Sequence, residues 1–555
     1  MMEFTPNFNP LGNIWLSAFV AFLPILCFFL CLVVFKTKGY VAGFLTVVTA
    51  ILVAVFAYKM PLNAAFASII VGFTTGIWPI AWIIIAAIFL YKLSIKSGQF
   101  EVIKQSIMTI TPDHRIQVII IGFCFGAFLE GAIGFGGPVA ITAALLVGLG
   151  LRPLQAAGYC MIANTAPVAF GAIGIPIIAM AQAVGIQQYE VAAMVGRILP
   201  PFSFCIPFFI VFLMDGMKGI KETFPIVFVA AISFAIAQFL SANFLGAELP
   251  DIISAIVSLV ATAVAAKTFK LKNIVRFDDK KDFSDVKILS IKEIVYAWSP
   301  FLLLIVFVVI WTQGWFKSLF GTDAALAFTN LKLSFASLGD LAVIKPSLVE
   351  GGKAGTQPLG LGIPLINTPG TAILFAAIAS IYILKVKASD AKVCFNDTLR
   401  EMAFPILTIG LVVGFAKITD YSGASGTLGI ALSQTGGAFT FFSPVIGWIG
   451  VFLTGSDTSA NLLFGSLQQV TAHQLGFSDT LFLAANSAGG VVGKMISPQS
   501  IAVACAAVGL VGRESELFKY TVKYSIAMII IIGIWVSLIA YFMPGIIPPS
   551  IPLAK

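Results

Sequence analysis

Apolar runs of about 20 residues, enough to cross a hydrocarbon layer as a helix, recur along nearly the whole of this 555-residue chain. In lipid, every backbone N–H and C=O must be paired within a helix or a closed barrel. The runs are continuous rather than alternating, so the helical solution applies. With 59% hydrophobic and 10% charged residues, a string of soluble domains is excluded. The expectation is an all-α polytopic membrane protein of about 12–14 transmembrane segments, some of them broken helices or re-entrant hairpins. Clear spans are expected near 14–35, 40–58, 78–95, 190–214, 224–245, 251–266, 296–311, 370–384, 402–417 and 520–542. The first is too long for a signal-peptide core and reads as an uncleaved span.

A net charge of +8 would suggest nucleic acid in a soluble protein. Here the bases occupy short loops, so they orient the chain in the bilayer and no nucleic-acid partner is expected. The densest cluster is Lys267, Lys270, Lys272, Arg276, Lys280, Lys281, Lys287 and Lys292. It marks 267–295 as a cytoplasmic loop between an N-terminal membrane half, 1–266, and a C-terminal half, 296–555. Alternating outward puts Lys92 to Arg115, Lys218, Lys221, Lys385 to Arg400 and Arg513 inside. Both termini and the poorly apolar segment 312–364 then fall outside. Six of the seven Cys lie in apolar runs without metal-ligand spacing, so neither metal nor cofactor is expected.

Two regions, 116–189 and 424–512, are apolar yet dense in Gly, Pro, Asn, Ser and Thr, and they resemble each other. "GAFLEG" at Gly126 parallels "GVFLTG" at Gly450, and "ANTAPVAFG" at Ala163 parallels "ANSAGGVVG" at Ala485; the offsets are 324 and 322 residues. With the sidedness above, the first copy runs from inside to outside and the second from outside to inside. Inverted repeats with broken helices meeting near the midplane are a secondary-transporter architecture.

Irregular backbone at membrane depth is tolerated only where it is buried in protein or lines a wet cavity. Breaks are expected at Gly131 to Pro138, with Gly136 and Gly137 in their centre, at Asn164 to Pro167, at Thr454 to Asn461, and at Asn486 to Gly490. Each exposes N–H donors at the start of a half-helix, which suit a small carboxylate. Hydroxyls at Thr165, Ser456, Thr458, Ser459 and Ser487 add partners for a hydroxyl beside it. For any single small residue, helix packing is the competing explanation; the matched positions favour Asn164 and Asn486.

An ionisable side chain in the bilayer centre costs at least ~2.5 kcal/mol and marks function by default. Glu130 is the only charged residue between Ile116 and Leu151. Between Asp420 and Arg513 the ionisable residues are Asp457, His473, Asp479 and Lys494. His473 and Asp479 fall in a turn and read as structural, as does His114. Asp457 and Lys494 either pair with each other or bind an anion, and Arg197 reads as a snorkelling or gating cation. "AGGVVGKM" lacks the first glycine and the Ser or Thr of a phosphate-binding loop, so no nucleotide is implied. No metal or nucleophile constellation points to an enzyme. Moving an anion into a cell that is negative inside costs ~2.3 kcal/mol per 100 mV, which a co-transported proton removes. Desolvation strengthens the hold of a buried Glu on its proton, which gives Glu130 the proton-coupling role.

"FGAFLEGAIGFGGPVAITAALLVGLG", "IANTAPVAFGAIGIP", "DYSGASGTL", "FLTGSDTSANLLFGSLQ" and "AANSAGGVVGKMISPQSIAVACAAVGLVG" together resemble the bacterial lactate permease family through most of the chain. The resemblance implies a proton-coupled symporter of L-lactate, with D-lactate and glycolate, in the cytoplasmic (inner) membrane. The "NTAP" and "NSAG" turns are more distantly similar to the paired tips of dicarboxylate transporters in the ion transporter superfamily, which implies an elevator-like movement. The reading is therefore a lactate importer with Glu130 coupling the proton. Asn164, Thr165, Gly136, Gly137, Ser456, Asp457, Thr458, Asn461, Asn486, Ser487 and Lys494 are its substrate-site candidates. Sodium coupling with Asp457 as a ligand, or an anion channel, is the alternative. Oligomeric state is not legible.

Overall fold

The computed structural model describes residues 2–134, 137–271, 273–276, 289–321, 324–334, 341–345, 355–358 and 360–552. Gly136 and the loop bases Lys272, Lys280, Lys281 and Lys287 lie outside the described residues. Among those described, ten helices are long and apolar enough to cross a membrane, and up to 12 if each of two bent pairs is one span. The protein is thus an all-helical, multi-pass membrane protein. The longest helix, Pro200–Phe244, has 45 residues, about 67 Å at 1.5 Å per residue, too long for a single crossing of a ~30 Å core. Its helical dihedrals fail at Asp215 and Gly216, between the expected spans 190–214 and 224–245.

The first repeat region folds as His114–Ala132 (α1), Gly137–Gly148 (α2), Pro153–Ala163 (α3) and Gly171–Val184 (α4). Pro200–Phe244 (α5) and Pro250–Thr268 (α6) follow. The second region folds as Phe439–Thr454 (α7), Asp457–Leu475 (α8), Asp479–Lys494 (α9) and Pro498–Ala507 (α10). Each region is a helix, a break, a second helix and then a bent pair. The bends are 66° where α4 with its leading turn follows α3, and 41° between α9 and α10. The first breaks turn through glycines in the left-handed region, Gly134 at φ +63° and Gly455 at φ +71°. Across the repeats, α2 packs on α10 and α8 on α4; these are equivalent contacts if the two regions are copies.

One expected break is misplaced. Asn486 to Gly490 lie inside the continuous helix α9, and the chain bends only after Lys494. The glycines there serve contact instead. A Cβ on Gly489 would lie 1.8 Å from the Pro444 carbonyl oxygen, and one on Gly447 would lie 1.8 Å from that of Asn486. The α7 and α9 backbones therefore touch, and that packing offsets the helix penalty of about 1 kcal/mol per glycine.

Contacts between loops bring several charged segments together. Buried Arg115 bonds Asp113, Asp215 and Glu222 and the Asn273 carbonyl, so the Lys218 segment and the start of the basic loop share its face. Lys92 pairs with Glu401 at 2.7 Å and Lys96 with Asp390 at 3.4 Å. Met2–Phe4 pairs in parallel with Leu341–Lys345, and the Gln187 N–H donates to the Ile551 carbonyl. Short strands at Asn330–Ser334 and Gly360–Pro364 pair antiparallel; they add a small β element to the segment 312–364 that the apolar pattern did not foreshadow.

The Gly489→Val variant should lose folded protein or fall by at least about 1–3 kcal/mol in stability through overpacking against Pro444. Thermal unfolding in detergent measures this; an unchanged midpoint would mean that the helices are not in backbone contact.

Candidate functional site

Glu130 lies in the last turn of α1 and is 2% exposed. The chain breaks just beyond it because Gly134 turns back against α4, where a Cβ on Gly134 would lie 2.8 Å from the Ala172 Cβ. Gly171 clears room for the carboxylate: a Cβ there would lie 2.8 Å from Glu130 Oε1. Two donors reach Glu130. Lys494 Nζ donates to Oε1 at 2.6 Å, and Asn164 Nδ2 donates to Oε2 at 2.9 Å. Lys494 ends α9, where a cation suits the negative end of the helix dipole, and Asn164 caps the C-terminus of α3. Broken ends from both repeat regions thus meet on one carboxylate.

Asp457 opens α8. Ser456 caps that helix by accepting from the Ser459 N–H. Asp457 Oδ2 accepts from Ser487 Oγ at 2.6 Å and from Asn461 Nδ2 at 3.2 Å, while Oδ1 has no hydrogen-bond partner among the described residues. Behind it Asn486 Nδ2 donates to Asn461 Oδ1, and Gln468 Nε2 donates to Asn486 Oδ1. This network holds Asp457 at the break. Thr454, the position matching Glu130, donates to the carbonyls of Gly450 and Ser456.

A small cavity of about 70 Å³ opens between the two breaks. Its wall includes Glu130, Ser456, Asp457, Thr458 and Lys494, five residues singled out from the sequence. Asn164 stands behind Glu130, and Asn461, Asn486 and Ser487 stand behind Asp457, so these four hold carboxylates rather than face the cavity. Gly137 begins α2 with open space over its Cα. Thr165 departs from expectation: its hydroxyl donates to the Ile162 carbonyl, and it lines a separate apolar cavity. Lys494 bonds Glu130 rather than Asp457, the pairing that was one of its two sequence readings. Arg197 donates to Asn243 and to the Ile546 carbonyl, an anchoring role. His473 and Asp479 contact each other at 3.3 Å in their turn.

The sequence reading missed three residues. Gln499 and Ser500 on α10 line the cavity, and the buried Asp251 lies against Gly131. "LPD" reads as an ordinary helix start, so nothing in its pattern singled out Asp251. The cavity wall also contains an unusual turn. Ala172, Ile173 and Gly174 have φ of +45°, +58° and +73° in succession. Such conformations cost on the order of 1–3 kcal/mol each for residues bearing a Cβ and concentrate at functional sites.

Residues 17–543 match the family described as L-lactate permease. The L-lactate permease of Salmonella typhimurium is 54% identical over 547 residues, covering 98% of this chain and 99% of that protein. Glycolate permease GlcA of Escherichia coli is 50% identical over 564 residues, covering 99% and 100%. The L-lactate permease of Bacillus subtilis is 46% identical over 567 residues, covering 99% and 100%. Among solved structures, the Alcanivorax borkumensis YdaH transporter aligns at 12% identity and a TM-score of 0.33 over 80% of this chain and 86% of that one, a likeness too slight to bear on the fold.

Removing one partner of a buried ion pair strands the other, at a cost of about 3–5 kcal/mol. Lys494→Met should show a loss of that order in thermal unfolding, and adding Glu130→Gln should restore more than half of it. Independent, additive losses in the two variants would show that the pair is not coupled.

Proposed function

We propose that this chain, which belongs to the L-lactate permease family, imports L-lactate, with D-lactate and glycolate, across the bacterial cytoplasmic membrane together with a proton. The observation that carries this reading is the shared use of Lys494. Among the described residues the charged groups on the cavity wall are Glu130, Asp457 and Lys494, and the one ammonium is bonded to Glu130 at 2.6 Å. A monocarboxylate entering the cavity binds Lys494 by displacing Glu130. An ionised Glu130 left buried without its cation would cost several kcal/mol, and taking up a proton avoids that cost. Substrate and proton therefore bind as a neutral pair, and crossing the membrane then involves no electrical work of ~2.3 kcal/mol per 100 mV. On the inner side lactate leaves, Lys494 returns to Glu130 and the proton is expelled. The Ser456 and Thr458 hydroxyls on the wall suit the 2-hydroxyl of the substrate. The inverted sense of the two repeats lets one cavity open to either side by moving the broken helices against the rest.

Sodium coupling is the second reading, favoured by one observation: Asp457 lines the cavity, and its Oδ1 accepts no hydrogen bond among the described residues, which leaves that oxygen free for a cation. Uptake of labelled lactate into proteoliposomes under an imposed pH or sodium gradient, competed by glycolate, pyruvate and succinate, separates the two. The expected result is stimulation by the pH gradient alone, with competition by glycolate.

Two variants test the residue roles. Glu130→Gln should abolish accumulation driven by a pH gradient while some lactate exchange persists; undiminished uphill uptake would sink the coupling role. Lys494→Ala should weaken apparent lactate affinity by about tenfold or more, the worth of a hydrogen bond to a charged group. An unchanged affinity would return Lys494 to a purely structural role.

A further inference from the structure

We propose that Asp251 is the proton-storing partner of Glu130, the group that supplies the proton when substrate takes Lys494. The proposal rests on the symport reading above and names a residue that the reading does not use. Asp251 is the second residue of α6, 1% exposed, and neither carboxylate oxygen has a hydrogen-bond partner among the described residues. It abuts Glu130's helix end so closely that a Cβ on Gly131 would lie 2.6 Å from the Asp251 Cβ. Only glycine next to Glu130 admits it.

The charges acting on Asp251 are Glu130 from α1 and Lys494 from α9. Of the other helices packed on α6, α4 carries no titratable group. The charges of α5, Asp215 to Glu222, gather around Arg115, about 33 Å away along the helix. Cys124 of α1 bonds Ser258, two turns along α6. Three carboxyls, Glu130, Asp251 and Asp457, therefore share one ammonium. Glu130 has Lys494 and Asn164, and Asp457 has Ser487 and Asn461. Asp251 has no donor, and a buried carboxylate without donors costs several kcal/mol. The proton thus resides on Asp251 while Glu130 is ionised.

When lactate claims Lys494, the balance reverses. The proton passes from the Asp251 carboxyl to the Glu130 carboxylate, which leaves Asp251 ionised at the N-terminus of α6, the end of a helix that favours an anion. A hydronium ion from the outer side then returns one proton to Asp251 and leaves as water. Glu248, in the turn before α6, is the next carboxyl outward; Gln188 bonds one of its oxygens and the other has no partner. One proton is taken up per lactate.

The test uses the purified full-length protein in liposomes carrying an internal pH-sensitive dye. In Asp251→Asn, lactate uptake driven by a pH gradient should fall by about tenfold, the scale of a coupling energy between sites, and the protons taken up per lactate should fall with it, while lactate exchange declines far less. Wild-type accumulation with an unchanged proton count in that variant overturns the proposal. Infrared difference spectra with and without lactate give a readout that a packing role would not move. In the lactate-free protein the carboxylic-acid band of Asp251 should be missing from Asp251→Asn, while lactate still adds the acid band of Glu130; a lactate-free acid region identical to wild type in that variant overturns the proposal. If Asp251→Asn does not fold, Asp251→Glu carries the test: its uptake should have a shifted pH profile, and a profile matching wild type overturns the proposal. Undiminished lactate affinity in Lys494→Ala would overturn the binding-site reading and with it the transfer that lactate triggers, whereas wild-type coupling in Asp251→Asn beside weakened affinity in Lys494→Ala would overturn the Asp251 proposal alone.

Discussion

The contact between Lys494 and Glu130 organises the site. It links residues 364 apart, at the ends of helices that break rather than cross, and the two repeat regions meet at it. A buried charge needs a partner, so neither broken end is stable in this position without the other. The second face of the cavity follows the same rule with different chemistry. Asp457 has no ammonium of its own and is held by Ser487 and Asn461, with Asn486 and Gln468 supporting Asn461 from behind. The site is therefore asymmetric: one half holds an ion pair and the other a carboxylate in an amide and hydroxyl network.

Breaking helices inside a membrane leaves backbone groups that lipid does not satisfy, and the fold meets this by burying the breaks in protein. The α1 span is buried along its whole length. Around it, glycines bring backbones into contact, as Gly447 and Gly489 do between α7 and α9. Rigid packing of this kind also supports the left-handed turn at Ala172 to Gly174, where Gly174 lies directly against the Ala247 carbonyl.

Much of this was legible in the sequence because it depends on local chemistry. The spans follow from apolar length, and the repeat from matched strings. Glu130, Asp457 and Lys494 stood out because charges are costly at that depth. Errors arose where one residue type serves two purposes. The glycines of "NSAGG" read as a break but provide helix contact, and Thr165 read as a ligand but bonds its own helix. Pairing with Asp457, in the same repeat, was one of two readings of Lys494, whereas its partner belongs to the other half. Asp251 looked like a routine helix start, since nothing nearby in sequence shows that its carboxyl is left without donors.

The amino-acid sequence alone thus determined the membrane-spanning class, the two irregular regions and the charged residues within them, since the cost of a polar group in lipid is a property of each segment by itself. The tertiary structure decided which carboxylate holds the lysine, which amides face the cavity and which stand behind it, and which acid is left without a donor. Those outcomes depend on how segments hundreds of residues apart come to share one small volume, where a single ammonium satisfies only one of three nearby carboxyls.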